Sequence, residues 1–193
     1  MKKLLFFIIF FITFSTQSYA RGEFEKLGDI LTLAPVGAFI VSIGIKDYEG
    51  AWQVALGSLA TQGAVELIKR TNEFAAAQGA DILFSKRPLN TDYKGMPSGH
   101  TAGGFSAAGY VYYRYGWKPA LPVIALGVVT AASRVHARKH TILQTIVGGS
   151  IAWGFAYLFT TKYIPQTKVI ITPDIGYDDL GGQYYGVNVN YRF

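Results

Sequence analysis

Three short stretches of the chain carry the groups that cleavage of a phosphate ester needs. They read KRP at Lys86 to Pro88, PSGH at Pro97 to His100, and SRVHARKH from Ser133 to His140, with Lys69 and Arg70 upstream of all three. An arginine presents a planar fork of donors that matches phosphate oxygens, and a lysine adds a point charge. Ser98 and Gly99 stand where a helix begins, and the unpaired amides of such a terminus attract anions. His100 and His140 complete the chemistry, because one histidine can take the phosphoryl group while the other protonates the departing oxygen. This set demands no metal and no other cofactor. Taken singly the stretches are ordinary, since Arg-Pro is common in solvated loops and PSGH reads as a turn before a helix. The signal is their conjunction.

The elements that must hold these groups are apolar. Residues 29–46, 51–68, 100–113, 119–132 and 142–159 are five such segments, several interrupted by glycine or short of the ~20 residues of an ideal membrane span. Gly, Ala, Ser and Thr in the second segment let neighbouring helices approach closely. The predicted fold is all-α, a multi-helix transmembrane bundle, with a soluble helical bundle as the alternative. Lys69 is expected to end the second helix, and a polar loop from Arg70 to Gly99 follows. Ahead of the bundle, MKKLLFFIIFFITFSTQSYA has the basic head, apolar run and small-residue cleavage site of a secretory signal ending at Ala20. After Tyr163 the pattern changes. Val187, Val189, Tyr191 and Phe193 alternate with Asn188, Asn190 and Arg192, the period of a strand, and DDLGG at Asp178 to Gly182 turns it back on VIIT at Val169 to Thr172. The organisation predicted is a signal at 1–20, a helical domain at 21–165 and a β-hairpin tail at 166–193.

The formal charge of +6 is mild for 193 residues, and two of those charges, Lys2 and Lys3, belong to the signal. A membrane protein with anion ligands in its loops has the same excess, so nothing here points to nucleic acid. The absence of cysteine excludes disulfides and thiol chemistry.

In order and spacing, Arg87-Pro88, PSGH at 97–100, and Ser133-Arg134 followed by five residues and His140 resemble the three signature blocks of the type 2 phosphatidic acid phosphatase (PAP2) superfamily. The resemblance spans residues 69–148 and implies a helical bundle of the PAP2/haloperoxidase type in its membrane lipid phosphatase branch. It also implies roles. His140 matches the nucleophile that forms a phosphohistidine, and His100 the acid; Arg87 and Arg134 hold phosphate oxygens, with Ser98 and the Gly99 amide assisting. The family's lysine, seven positions before the arginine, falls on Ala80, so Lys69 is the expected equivalent with a longer spacer, and Lys86 the fallback. The family's aspartate, four residues after the nucleophile, is replaced by Gln144, whose carbonyl oxygen can accept the same ring proton without the charge. His136 formally completes a set of three histidines for a metal, but is expected with Arg138 and Lys139 in a basic rim that attracts anionic headgroups.

The expected activity is removal of phosphate from a lipid phosphate or pyrophosphate, of the lipid A or undecaprenyl pyrophosphate type. The expected place is the periplasmic face of a bacterial inner membrane, with the membrane and the phosphorylated lipid as partners. The alternatives are a soluble periplasmic acid phosphatase, a lipid phosphotransferase of the same superfamily, and a degenerate member that binds anionic lipid without turnover, suggested by Gln144.

Overall fold

The computed structural model describes residues 20–89, 92–164, 169–177 and 179–191. The expected secretory signal, apart from Ala20, lies outside them. Two compact units are present, Met1–Lys162 and Tyr163–Phe193.

The first unit is helical. The charged α1 (Ala20–Leu31) and the apolar α2 (Ala34–Gly44) are separated at Thr32 and Leu33, because Pro35 in the first turn of α2 has no N–H with which to continue the ladder. α3 (Tyr48–Ala77) starts at Asp47, whose carboxylate accepts the Gly50 N–H at 3.0 Å. It corrects the sequence-based boundary at Lys69. The helix runs two further turns to Ala77, since RTNEFAAA contains no breaker before Gly79 and the Glu66–Arg70 pair, 2.6 Å apart, bridges a turn. A 3₁₀ turn at Leu83–Ser85 then leads into the loop that carries Arg87.

α4 (Gly99–Tyr115) is the centre of the bundle. Its middle reads AGGFSAAG, with Ala102, Ala107 and Ala108 fully buried, so neighbouring backbones close in on it. A Cβ on Gly109 would stand 2.6 Å from the Ala156 Cβ, which makes glycine a requirement of this crossing. α5 (Trp117–His136) and α6 (Ile142–Phe159) both pack on α4. α6 opens with a reciprocal cap: Thr141 accepts the Gln144 N–H at 3.2 Å, and Gln144 Oε1 accepts the Thr141 N–H at 3.1 Å.

Among the described residues three helical stretches are long and apolar enough to cross a membrane: Gly22–Gly44, Trp117–His136 and Ile142–Phe159. The five apolar segments therefore do not make five spans of this kind. α3 carries Gln53, Thr61, Gln62 and Glu66 along its length, and α4 is short and enclosed by the others. The outside of the bundle is apolar, with Ile40, Leu59, Leu121, Ile146 and Leu158 all exposed, a surface matched to hydrocarbon.

The second unit is an antiparallel hairpin of β1 (Val169–Tyr177) and β2 (Gln183–Tyr191). The pairings Ile171↔Val189, Pro173↔Val187 and Ile175↔Tyr185 put the apolar residues on one face, as the period-two alternation requires.

Candidate active site

A turn at the end of α5 delivers His140. Arg138 sits at φ 53, its N–H reaches the Val135 carbonyl at 2.9 Å, and the Lys139 N–H reaches the Arg134 carbonyl at 3.0 Å. This is a Schellman closure with arginine in the left-handed position that glycine usually fills. It reverses the chain within two residues and places His140 beside the start of α6.

His140 is buried, at 5% exposure, and its orientation is fixed from one side. Nδ1 lies 2.8 Å from the Gly95 carbonyl oxygen and 3.3 Å from Gln144 Oε1. Both are acceptors, so Nδ1 carries the proton and Nε2 keeps its lone pair for attack. Burial pushes the ring's pKa down, and the Arg87 and Lys69 charges add to this against the Gly95 carbonyl and Gln144; it rests at about 4. A histidine so placed is neutral, the form a nucleophile needs.

Gln144, fully buried, does more than orient the ring. Its Nε2 donates to the Phe84 and Lys86 carbonyls, both at 2.9 Å, which tethers the 3₁₀ turn immediately before Arg87. All of its polar capacity points at defined partners, and a carboxylate could not make the two donor bonds. Gly95 is equally constrained, since a Cβ there would stand 2.6 Å from Gln144 Nε2.

The phosphate-binding groups expected from the sequence converge here. Ser98 caps α4 through the Thr101 N–H, and its own N–H is held by the Gln144 carbonyl at 2.9 Å. Lys69 reaches in from α3, with Nζ 3.2 Å from where a Cβ on Gly99 would lie. Lys86, the fallback, contributes its carbonyl to Gln144 while its side chain is exposed, so Lys69 is the lysine brought to the site. Burial, with the neighbouring Arg87 charge, holds the Lys69 ammonium below the ordinary lysine range. Arg87 Nε meets Asp92 Oδ1 at 3.3 Å without hydrogen-bond alignment, leaving a buried donor unsatisfied.

Arg134 and His100 are tied to a residue that sequence reasoning missed. Asp29 Oδ1 accepts from Arg134 Nη1 at 2.8 Å and lies 2.9 Å from His100 Nε2, an ion pair once the ring is protonated. Arg134 also donates to the Glu25 carbonyl and, through Nε, to Ser133 Oγ at 3.1 Å, so it meets a phosphate only alongside Asp29. A carboxylate within an apolar helical run was the available signal for Asp29. His136 lies apart from this chemistry, its exposed ring edge-on to Phe24 with centroids 5.5 Å apart.

An apolar groove of about 360 Å³ opens beside these groups, lined by Phe105, Val128, Ile146 and Trp153 and reaching Thr101 and Thr145. Those threonines directly follow His100 and Gln144 in the chain. The groove thus runs between two of the membrane-crossing helices, α5 and α6, next to the first turns of α4 and α6.

A buried neutral histidine, a second histidine and a set of cations at helix ends form a group chemically equipped for phosphoryl transfer on a helical membrane bundle. Residues 51–168 match the PAP2 superfamily, and the chain belongs to it, as a phosphatase. The chain is 49% identical over 169 residues to a lipid A 4'-phosphatase of Helicobacter pylori, covering 88% of this chain and 85% of that protein. It is also 28% identical over 130 residues to a lipid A 1-phosphatase of Helicobacter pylori, covering 65% of this chain and 67% of the relative. No solved structure gives a significant match.

Proposed function

We propose that this protein removes the 4'-phosphate of lipid A at the periplasmic face of the inner membrane through a phosphohistidine on His140. Likeness to the 4'-phosphatase over nearly nine-tenths of the chain carries the choice of substrate and position. The apolar groove between α5 and α6 supports a lipid, because an acyl chain lying there brings its headgroup to the first turns of α4 and α6. Lys69, Arg87 and Arg134 hold the phosphate oxygens, and His140 Nε2 attacks phosphorus in line. His100 protonates the departing sugar oxygen, and water then hydrolyses the phosphohistidine. Positioning and charge neutralisation supply most of the rate in phosphoryl transfer. Gln144 supports a working site rather than a degenerate one, since every polar atom of its side chain is used to hold the nucleophile and the Arg87 turn.

The test is mass spectrometry of bisphosphorylated lipid A after incubation with purified protein, with His140→Ala as control. One phosphate should leave, from the distal glucosamine, and only with the active histidine. Loss of the 1-phosphate instead, or no loss from folded protein, overturns the assignment. Orientation is tested separately on the cysteine-free background. A single cysteine at exposed Leu89 should react with a membrane-impermeant maleimide added from the periplasmic side.

A further inference from the structure

Asp29 belongs to α1, far in sequence from all three motif blocks, yet α1 is seated against two of them. A Cβ on Gly28 would fall 1.8 Å from Ser133 Oγ and 2.9 Å from Arg134 Nη2, so only glycine permits this approach. The Glu25 carbonyl accepts from Arg134, the Glu25 carboxylate pairs with Lys139, and Thr32 Oγ1 lies 3.4 Å from the His100 carbonyl. α1 is therefore built into the site, and the single oxygen Asp29 Oδ1 joins His100 to Arg134.

We propose that Asp29 is a positioning residue for the general acid, holding the His100 ring against Arg134 and keeping its proton in place, a role that rests on the phosphatase function proposed above. The charges facing His100 are Lys69 from α3, Arg134 from α5, Lys139 from the turn after α5, and Asp29 from α1. Three are cations and oppose a protonated imidazole; Asp29 is the counter-charge. Burial and Arg134 push His100 below the ordinary histidine range, Lys69 and Lys139 add to this, and Asp29 works against it. A general acid must carry its proton at the working pH. With Nε2 turned to the Asp29 carboxylate, the Nδ1 proton of the imidazolium passes to the leaving oxygen as the P–O bond breaks. The neutral ring then takes a proton from the water that attacks the phosphohistidine, which restores the starting state.

The experiment compares wild type, Asp29→Asn, Asp29→Glu and His100→Ala on lipid A, on a long-chain alkyl phosphate, and on an aryl phosphate whose phenolate departs without protonation. With Asp29→Asn, kcat on the lipid and alkyl substrates should fall about 10- to 100-fold with KM little changed. The alkaline limb of the pH profile should move to lower pH, because loss of the carboxylate makes His100 give up its proton earlier. On the aryl phosphate the same variant should stay within about threefold of wild type, and Asp29→Glu should recover part of the loss. His100→Ala should show the same dependence on leaving group. An equal loss on alkyl and aryl substrates would reduce Asp29 to a structural contact, and a gain in rate would make it a competitor for the phosphate place; either overturns the proposal. If lipid A is not cleaved while the alkyl and aryl esters are, the substrate assignment fails but the Asp29 comparison still reads out.

Discussion

Two charged clusters sit at opposite ends of α4, about 20 Å apart along its axis, and they differ in how completely they are paired. At the C-terminal end, Arg114 and Asp47 are both almost wholly buried and paired with each other, and the more exposed Glu49 carboxylate lies 3.4 Å from Arg114 Nη2. Asp47 accepts from Arg114 Nε at 2.8 Å, Tyr115 Oη at 2.6 Å and the Gly50 N–H at 3.0 Å, while Arg114 Nη1 donates to the Thr161 carbonyl at 3.0 Å. At the N-terminal end, Lys69, Arg87 and Arg134 gather around two histidines with Asp29 and Asp92 as the nearby carboxylates, and one Arg87 donor is unsatisfied. The closed cluster joins the α2–α3 turn to the ends of α4 and α6, and so holds the bundle together. The open cluster has cationic capacity left for a phosphate.

The contrast predicts that activity and stability separate along one helix. The largest effect belongs to the open end: His140→Ala should lower kcat by at least about 10⁴-fold, since it deletes the proposed nucleophile. Its unfolding midpoint in detergent should stay near that of wild type. Activity surviving within tenfold would move the nucleophile elsewhere.

At the closed end the order reverses. Asp47→Asn leaves the buried Arg114 with only the exposed Glu49 carboxylate, 3.4 Å away, as counter-ion, and breaking such a buried pair costs about 3–5 kcal/mol of stability. The kcat of the protein that remains folded should change by less than about threefold, a barrier change under about 0.7 kcal/mol. Thermal unfolding and turnover normalised to folded protein, measured on one preparation, separate the two quantities. A fall in kcat as large as that at His140 would mean that the clusters are coupled through α4.

The ends should also titrate apart. In the unfolded chain His140 binds its proton near pH 6.5, but in the folded chain only near 4, so the unfolded state takes up the proton first. Stability is therefore lost as pH falls from about 6.5 to about 4, by up to about 3 kcal/mol. Burial pushes the Asp47 carboxyl up, but the Arg114, Tyr115 and Gly50 hydrogen bonds outweigh it and hold it at about 2. Its contribution is present above the ordinary value of 3.8 and lost between there and about 2. Acid unfolding curves should show the first loss vanish in His140→Ala and the second in Asp47→Asn.

Much of this arrangement was legible in the sequence where residue type alone carries the information. Ser98-Gly99-His100 announced a helix start, and the alternation around Val187 announced a strand. Helix ends were poorly legible, and the end of α3 was read at Lys69 although the helix runs to Ala77. Gly79 closes α3 in the same way that Lys46 closes α2 and Arg138 closes α5, yet the two basic residues give no hint of a left-handed turn. The Gly95 carbonyl that fixes His140 is a backbone group, for which no side chain is a marker. Asp29 meets Arg134 across 105 positions, and that contact exists only once α1 folds back over the end of α5.

The smallest effect tests what Gln144 is for. If the residue merely stands in for an aspartate, restoring the carboxylate should raise the rate by stabilising a charged His140. The geometry gives the opposite expectation. Aspartate is one methylene shorter and has no donors, so the Phe84 and Lys86 carbonyls would lose their partners and face a negative charge. An unsatisfied buried carbonyl costs about 1–3 kcal/mol, and the tether that sets Arg87 would be released. Gln144→Asp should therefore lower kcat about tenfold, or about 1.4 kcal/mol of barrier. Gln144→Glu keeps the length and exchanges the two donors for a carboxylate, so a similar loss in that variant would identify the amide as the requirement. Full activity in Gln144→Glu would show that the turn before Arg87 holds without it, and a gain in Gln144→Asp would return the residue to the role of a weakened carboxylate.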